Sequence, residues 1–238
     1  MNKVLPIKDE EKLRRMQEEM AADTGWHQER MFLLFELGIH TGLRISDLIR
    51  LRKKNVCGTW IDMVEKKTGK QTRIPLNVTI RTIIQDRCRD LKPDDLLFPS
   101  RMKRGNGSPA PITTRCAYDD IKAIAVRFRL GDNIGCHTLR KTFGYWHYKQ
   151  NHDLELLRQW FNHASQAVTI RYIGIDEEEK RKSVQGFNPG GAVYQPRDPV
   201  TRGRPDQQSE PLEIKRANHE KQGKIWGQRA QEARQKRI

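Results

Sequence analysis

Between residues 58 and 77 the chain reads GTWIDMVEKKTGKQTRIPLN, with apolar and polar side chains alternating on either side of KTGK. A period of two around a glycine-bearing turn predicts a β-hairpin, and a lone hairpin is marginal in water, so the fold depends on what surrounds it. The surrounding segments read as helices. HQERMFLLFELGIHTG (27–42) has the pattern of a core helix ended by Gly42, VTIRTIIQDRCRDL and ITTRCAYDDIKAIAVRFRL look helical, and three more helices are expected over 138–150, 153–161 and 165–172. IKDEEKLRRMQEEMAAD (7–23) predicts a short charged helix ahead of them, and another is expected to begin near Arg44 and run through RISDLIRLRKKNV. KPDDLLFPSRMKRGNGSPAP reads as an extended piece followed by a flexible basic loop. The expected fold class is α+β, mainly α with a small antiparallel β-sheet.

Charge narrows the function. Across 238 residues, 45 Lys and Arg face 30 Asp and Glu, a net charge of +15, and residues 1–175 carry 31 of the basic and 20 of the acidic groups. An excess of this size favours a polyanionic partner, most economically nucleic acid. A membrane is the rival, yet the longest apolar stretch, MFLLFELGI (31–39), is broken by Glu36 and far too short to span a bilayer. The amino terminus has no uninterrupted apolar run like that of a secretory signal, so the expectation is a soluble, cytoplasmic protein. Cys57, Cys88, Cys116 and Cys136 lie 31, 28 and 20 residues apart, without a CxxC pair, which reads as reduced thiols rather than a metal site. Composition changes late in the chain: 8 of the 20 positions from 186 to 205 are Gly or Pro. The expected organisation is a folded domain over 1–185, a linker over 186–205 and a basic tail over 206–238 that forms at most a weak amphipathic helix.

Five short stretches carry candidate chemistry. In HTLRKTF, Thr138 is expected to cap a helix, leaving His137 just outside its first turn and Arg140 within it, where an imidazole, a guanidinium fork and free backbone amides suit a phosphate. In TGLRISDL, Arg44 follows a glycine turn and Asp47 stands one turn on, placed to hold the guanidinium. EKKTGKQTRIP puts Lys66, Lys67 and Lys70 around the hairpin turn. In FNHAS, Asn162 reads as a left-handed helix terminator with His163 after it, and Ser165 caps the next helix; SQAVTIRYIGI then ends that helix at Tyr172, before Gly174. Read singly, these are a solvated helix start, a surface ion pair, a solvated turn, a structural histidine and a core tyrosine.

Together and in this order they resemble the tyrosine recombinases, also called phage-type integrases, over roughly residues 9–175. The family's first arginine box is similar to TGLRISDL, its hairpin lysine to Lys67, its His-x-x-Arg box to HTLRKTF, its histidine box to FNHAS and its nucleophile box to VTIRYIG. The resemblance implies the recombinase catalytic-domain fold and a set of roles. Tyr172 would attack a scissile phosphate of double-stranded DNA, giving a 3′-phosphotyrosyl bond and a free 5′-hydroxyl. Arg44 and Arg140 would grip the non-bridging oxygens, Lys67 would protonate the leaving oxygen, His137 would assist proton transfer at the tyrosine, and His163 would donate to the phosphate, with Asp47 supporting them from behind. No metal and no cofactor would be needed. Strand exchange implies two paired sites, a homotetramer and possible help from an accessory DNA-bending or directionality protein.

Departures from the family pattern set further expectations. Phe-Asn-His stands where Leu-Gly-His is usual, and only about two dozen residues precede the first core helix, where many members carry a DNA-clamping domain. The linker and basic tail after residue 185 are the expected substitute. Three readings follow: a site-specific recombinase of a mobile element acting in integration, excision or inversion; a type IB-like nicking and relaxing enzyme; and a non-catalytic DNA-binding regulator that keeps the fold.

Overall fold

The computed structural model describes residues 4–175 apart from Arg104 and Asn106, together with Arg181, Val184, Gln185, Phe187 and Pro189. Eight helices and two small antiparallel sheets are formed among these residues. The expected tail over 206–238, and most of the expected linker, lie outside the described residues.

Helix α2 (Trp26–Thr41) is the axis, because its apolar side chains point all round rather than to one face. Leu33, Leu34 and Leu37 enter one core, whereas Phe32 and Phe35 enter another shared with α1 (Glu10–Ala21) and α5 (Thr114–Arg127). The first core is closed by the expected hairpin, β1 (Trp60–Val64) with β2 (Gln71–Pro75), and by α4 (Val78–Arg87). Its register pairs Ile61 with Ile74, both buried, and leaves Asp62 and Val64 outward.

Helix starts follow local chemistry. Asp9, Asn77, Thr113 and Asp153 each accept a hydrogen bond from the backbone amide three residues on, at 2.9, 3.0, 3.1 and 2.8 Å. Gly42 ends α2 with φ +63°, and a Cβ there would also lie 2.4 Å from the Phe143 ring, so both backbone and packing require glycine.

Three expectations are corrected. The helix near Arg44 is a single turn, α3 (Ile45–Leu48), followed by a separate 3₁₀ turn at Lys53–Val56. From Leu51 onward the backbone bonds elsewhere and the helix does not continue: Leu97 N–H donates to Leu51 O at 2.9 Å, Lys53 N–H to Asp95 O at 2.9 Å and Lys54 N–H to Pro93 O at 2.8 Å. The extended piece and basic loop instead make a second hairpin, β3 (Pro99–Lys103) with β4 (Pro109–Pro111), whose proline-bounded, irregular register hides the alternation. Thr138 is not the cap of α6 (Thr138–Asn151); it is the first helical residue, fully buried, and its hydroxyl accepts from Gly135 N–H at 3.0 Å.

A third, smaller core packs α6 against α7 (Leu154–Phe161) and α8 (Gln166–Ile173), through Phe143, Leu157, Phe161 and Ile173. Gly144 makes this possible. A Cβ at that position would stand 2.7 Å from both Ile173 and Phe161 side chains, so its absence lets α8 lie close on α6. No helix among the described residues is long and apolar enough to cross a membrane.

Candidate active site

The turn between α7 and α8 is tight at both ends: Asn162 closes α7 in the left-handed region at φ +54°, and Ser165 caps α8 by accepting from Val168 N–H at 3.3 Å. His163 is held between them, its Nδ1 3.0 Å from the Thr169 hydroxyl. Tyr172 stands in the last turn of α8, with ring centroids 4.9 Å from His163 and 5.4 Å from Phe161. Its phenol oxygen lies 3.1 Å from Nδ1 of His137, at the mouth of α6. One step along α6, Arg140 is buried with its guanidinium stacked 4.4 Å over Phe161 and donating to the carbonyl of Gly42. The carbonyl that ends α2 therefore orients the arginine of α6.

Electrostatics bear on proton movement. Burial pushes the Tyr172 phenol above its ordinary value of 10.0, against the opposing pull of Arg140 and Arg44, so the phenol keeps its proton at neutral pH. Burial, then the charges of Arg140, Lys141 and Arg44, lower His137 below 6.5, and burial, Arg140 and Arg44 do the same to His163. A neutral His137 has one ring nitrogen free to accept, and Nδ1 is the one that faces the phenol.

Arg44 extends from the start of α3 and pairs with Glu65 at 2.9 Å. The expected partner was Asp47. That carboxylate is buried and instead accepts the Lys66 backbone N–H at 2.9 Å, so it braces the hairpin turn. Glu65 also accepts from the hydroxyls of Thr68 at 3.0 Å and Thr72 at 3.2 Å. Burial would raise its pKa, but the Thr68 and Thr72 hydroxyls and Arg44 outweigh burial and hold it below 4.5. Two acidic groups thus dock the turn on α3. Lys67 itself is exposed on that turn, and among the described residues no hydrogen bond or ion pair holds its ammonium. A cleft of about 270 Å³ lies alongside, lined by Glu65, Thr68, Arg140 and Trp160.

Of the seven residues singled out from the sequence, the fold brings His137, Arg140, His163 and Tyr172 into one cluster that feels the charge of Arg44. Asp47 backs the hairpin, and Lys67 projects from it without touching the rest. Sequence reading missed Glu65, whose only signal was an acidic residue two positions before Lys67. It also missed Lys141, whose ammonium is 5.1 Å from the Tyr172 ring centroid. Among the described residues no three His, Cys, Asp or Glu side chains gather as metal ligands.

The family model described as "Phage integrase family" matches residues 8–179, which include every residue of this cluster. The chain belongs to the phage integrase family. Among relatives of this family, it is 34% identical over 190 residues to "Probable integrase/recombinase YoeC" of Bacillus subtilis (strain 168), covering 79% of this chain and 98% of that one. It is 27% identical over 186 residues to "Tyrosine recombinase XerC" of Staphylococcus haemolyticus (strain JCSC1435), covering 76% of this chain and 60% of that one. In fold it matches the XerH site-specific recombinase, solved bound to its palindromic difH substrate after cleavage, with a TM-score of 0.58 and 23% identity over 77% of this chain and 53% of that chain. The integrase-family chain thus spans little more than half the length of the XerC and XerH chains. Its fold is that of the tyrosine recombinase catalytic domain, and family membership classes it among the tyrosine-type site-specific recombinases.

Proposed function

We propose that this protein cuts and rejoins double-stranded DNA at specific sites through a covalent bond to Tyr172. The observation that carries the reading is the phenol oxygen of Tyr172 lying 3.1 Å from His137 Nδ1 and beside the buried, oriented guanidinium of Arg140. A phosphodiester laid over Arg140 and Arg44 has its two non-bridging oxygens met by cationic forks, which stabilise the charge that grows as phosphorus becomes five-coordinate. Binding would require Arg44 to share or leave Glu65. Tyr172 Oη forms the new bond to phosphorus while its proton passes to His137 Nδ1. The bond from phosphorus to the 5′-oxygen breaks, and Lys67, swung in from the hairpin turn, gives that oxygen a proton. The products are a 3′-phosphotyrosyl protein and a 5′-hydroxyl, and attack by a 5′-hydroxyl from a second duplex runs the step backwards to join new strands. His163 donates to the phosphate when it carries a proton on Nε2, a state that the phosphate's negative charge favours.

Exchange between two duplexes calls for two paired sites and a homotetramer, with an accessory DNA-bending or directionality protein as an optional partner, in the integration, excision or inversion of a mobile element. The site of action is the cytoplasm. The segment after residue 185, rich in Gly and Pro and then basic, is assigned to holding DNA or a neighbouring protomer. Truncation there is expected to weaken DNA binding or assembly; recombination at the full-length rate would remove that assignment.

The test uses a pool of duplexes with a randomised core and a nick that lets a short fragment diffuse away once cleaved. Protein–DNA complexes surviving detergent are expected with the native chain and absent with Tyr172→Phe, which is expected to bind the pool equally well. Adducts that persist in Tyr172→Phe would overturn the reading. Binding by both proteins with no adduct from either would favour the non-catalytic regulator.

A further inference from the structure

We infer that the segment Val4–Lys8 is a strap that holds the nucleophile-bearing helix in register, with Lys8 as a positioning residue for Tyr172. The inference rests on the assignment of Tyr172 as nucleophile and goes beyond it, because nothing in the reaction calls for this segment.

Tyr172 occupies the last turn of a helix only eight residues long, and so short a helix is marginal without tertiary support. Its end is closed at Gly174, in the left-handed region at φ +79°, where the amides of Gly174 and Ile175 both reach back to Ile170 O at 3.2 Å. The carbonyls beyond that point collect the negative end of the helix dipole. Lys8 meets them: its ammonium donates to Gly174 O at 2.6 Å, a charge-assisted bond two residues from Tyr172. Pro6 packs against the same glycine, so closely that a Cβ on Gly174 would lie 3.2 Å from the proline ring.

The other side of the strap is fixed to α6, the helix that carries Arg140. Ile7 N–H donates to the Thr142 hydroxyl at 2.9 Å, Trp146 Nε1 donates to Ile7 O at 2.9 Å, and Lys141 Nζ donates to Val4 O at 2.7 Å. These bonds join residues more than 130 positions apart in sequence. They leave the strap little freedom of its own, so it transmits the position of α6 to the end of α8. Lys141 makes the link explicit, because the ammonium that holds Val4 also lies beside the Tyr172 ring. The strap sets the distance between the arginine on one helix and the phenol on the other.

The experiment compares the full chain with Lys8→Met, Lys8→Arg and, as a control for charge alone, Lys12→Met, which removes an exposed lysine of α1. Hydrogen exchange at the Gly174 and Ile175 amides is expected to quicken about tenfold in Lys8→Met, the loss expected for one charge-assisted bond, while the thermal midpoint of the whole chain stays put. The ring-carbon signal of Tyr172, assigned by its disappearance in Tyr172→Phe, is expected to titrate nearer its ordinary value as the phenol gains solvent. Lys8→Arg is expected to restore both readouts and Lys12→Met to change neither. On the nicked-duplex pool, Lys8→Met should slow adduct formation without weakening DNA binding. Should Lys8→Met lower the thermal midpoint, Lys8→Gln, which keeps a neutral donor, serves in its place. Exchange at Gly174 and Ile175 within about twofold of the native rate would overturn the strap. Exchange and titration need no DNA, so failure of the strap is told apart from failure of the proposed function.

Discussion

The cluster on α6 to α8 and the turn between β1 and β2 supply parts of one proposed reaction, yet they are built in opposite ways. Arg140 is buried, stacked and bonded to a carbonyl, and Tyr172 is ringed by His137, His163 and Phe161. Lys67 is exposed on a turn whose base is anchored by Asp47 and by the pair between Arg44 and Glu65. The difference teaches how the work is divided. Groups that stabilise developing charge act best when fixed beforehand, since reorganising them during the reaction is costly. A leaving-group acid has another need: held beside two guanidiniums in a DNA-free site, its ammonium would be repelled by like charge. On this account the helical half is assembled in advance and the lysine arrives with the phosphate.

Substitutions that separate the halves sharpen this contrast. Lys67→Ala is expected to slow covalent cleavage about a thousandfold, as removal of a general acid does. It should leave the thermal midpoint unchanged, and a substrate with sulfur at the 5′-bridging position should recover most of the rate, because a thiolate leaves without a proton. Arg140→Lys is expected to slow cleavage about a hundredfold, because an ammonium cannot span the phosphate oxygens as the fork does, and no sulfur substrate should rescue it. Gly144→Ala tests packing alone: its methyl group would press on Phe161 and Ile173, and a loss of about 1–3 kcal/mol in urea unfolding is expected, with slower cleavage because α8 moves. A matching Gly69→Ala in the hairpin turn would meet nothing but backbone strain at φ +68°.

The smallest effect is one of pH. Since burial and neighbouring cations lower His137 and His163, each stays neutral as pH falls through 6.5 and gains its proton only below it. NMR titration of the DNA-free protein should therefore find both imidazoles half-protonated below 6.5, and a value at or above it for His137 would break the link between burial and its readiness to accept the phenol proton.

Much of the helical half was legible in the sequence because its site residues sit at element ends with local signatures. Gly42, Asn162, Ser165 and Gly174 each mark a terminus by residue type, three by tolerance of a left-handed backbone and Ser165 by its capping hydroxyl, and Arg44, His163 and Tyr172 are placed by those marks. What stayed hidden was set by contacts distant in sequence. Glu65 meets Arg44 across 21 residues and Lys8 meets Gly174 across 166, and neither pairing leaves a periodic trace. Asp47 had a local signature that misled: spacing offered it Arg44, but a backbone amide from the hairpin took it. The length of α3 was overestimated for a similar reason, since the amides of Lys53 and Lys54 pair with Asp95 and Pro93 rather than with a preceding helical turn. The β3–β4 hairpin was missed because prolines at its ends stand where turn signals are normally read.

The most direct measurement of the central claim is peptide mapping of the covalent complex: nuclease and protease digestion of the adduct formed on the nicked-duplex pool, then mass spectrometry of the nucleotide-bearing peptide. The account predicts a single modified site, with the phosphate joined through its 3′ side to the phenol oxygen of Tyr172. A nucleotide on any other side chain, or one attached through a 5′-phosphate, would contradict it.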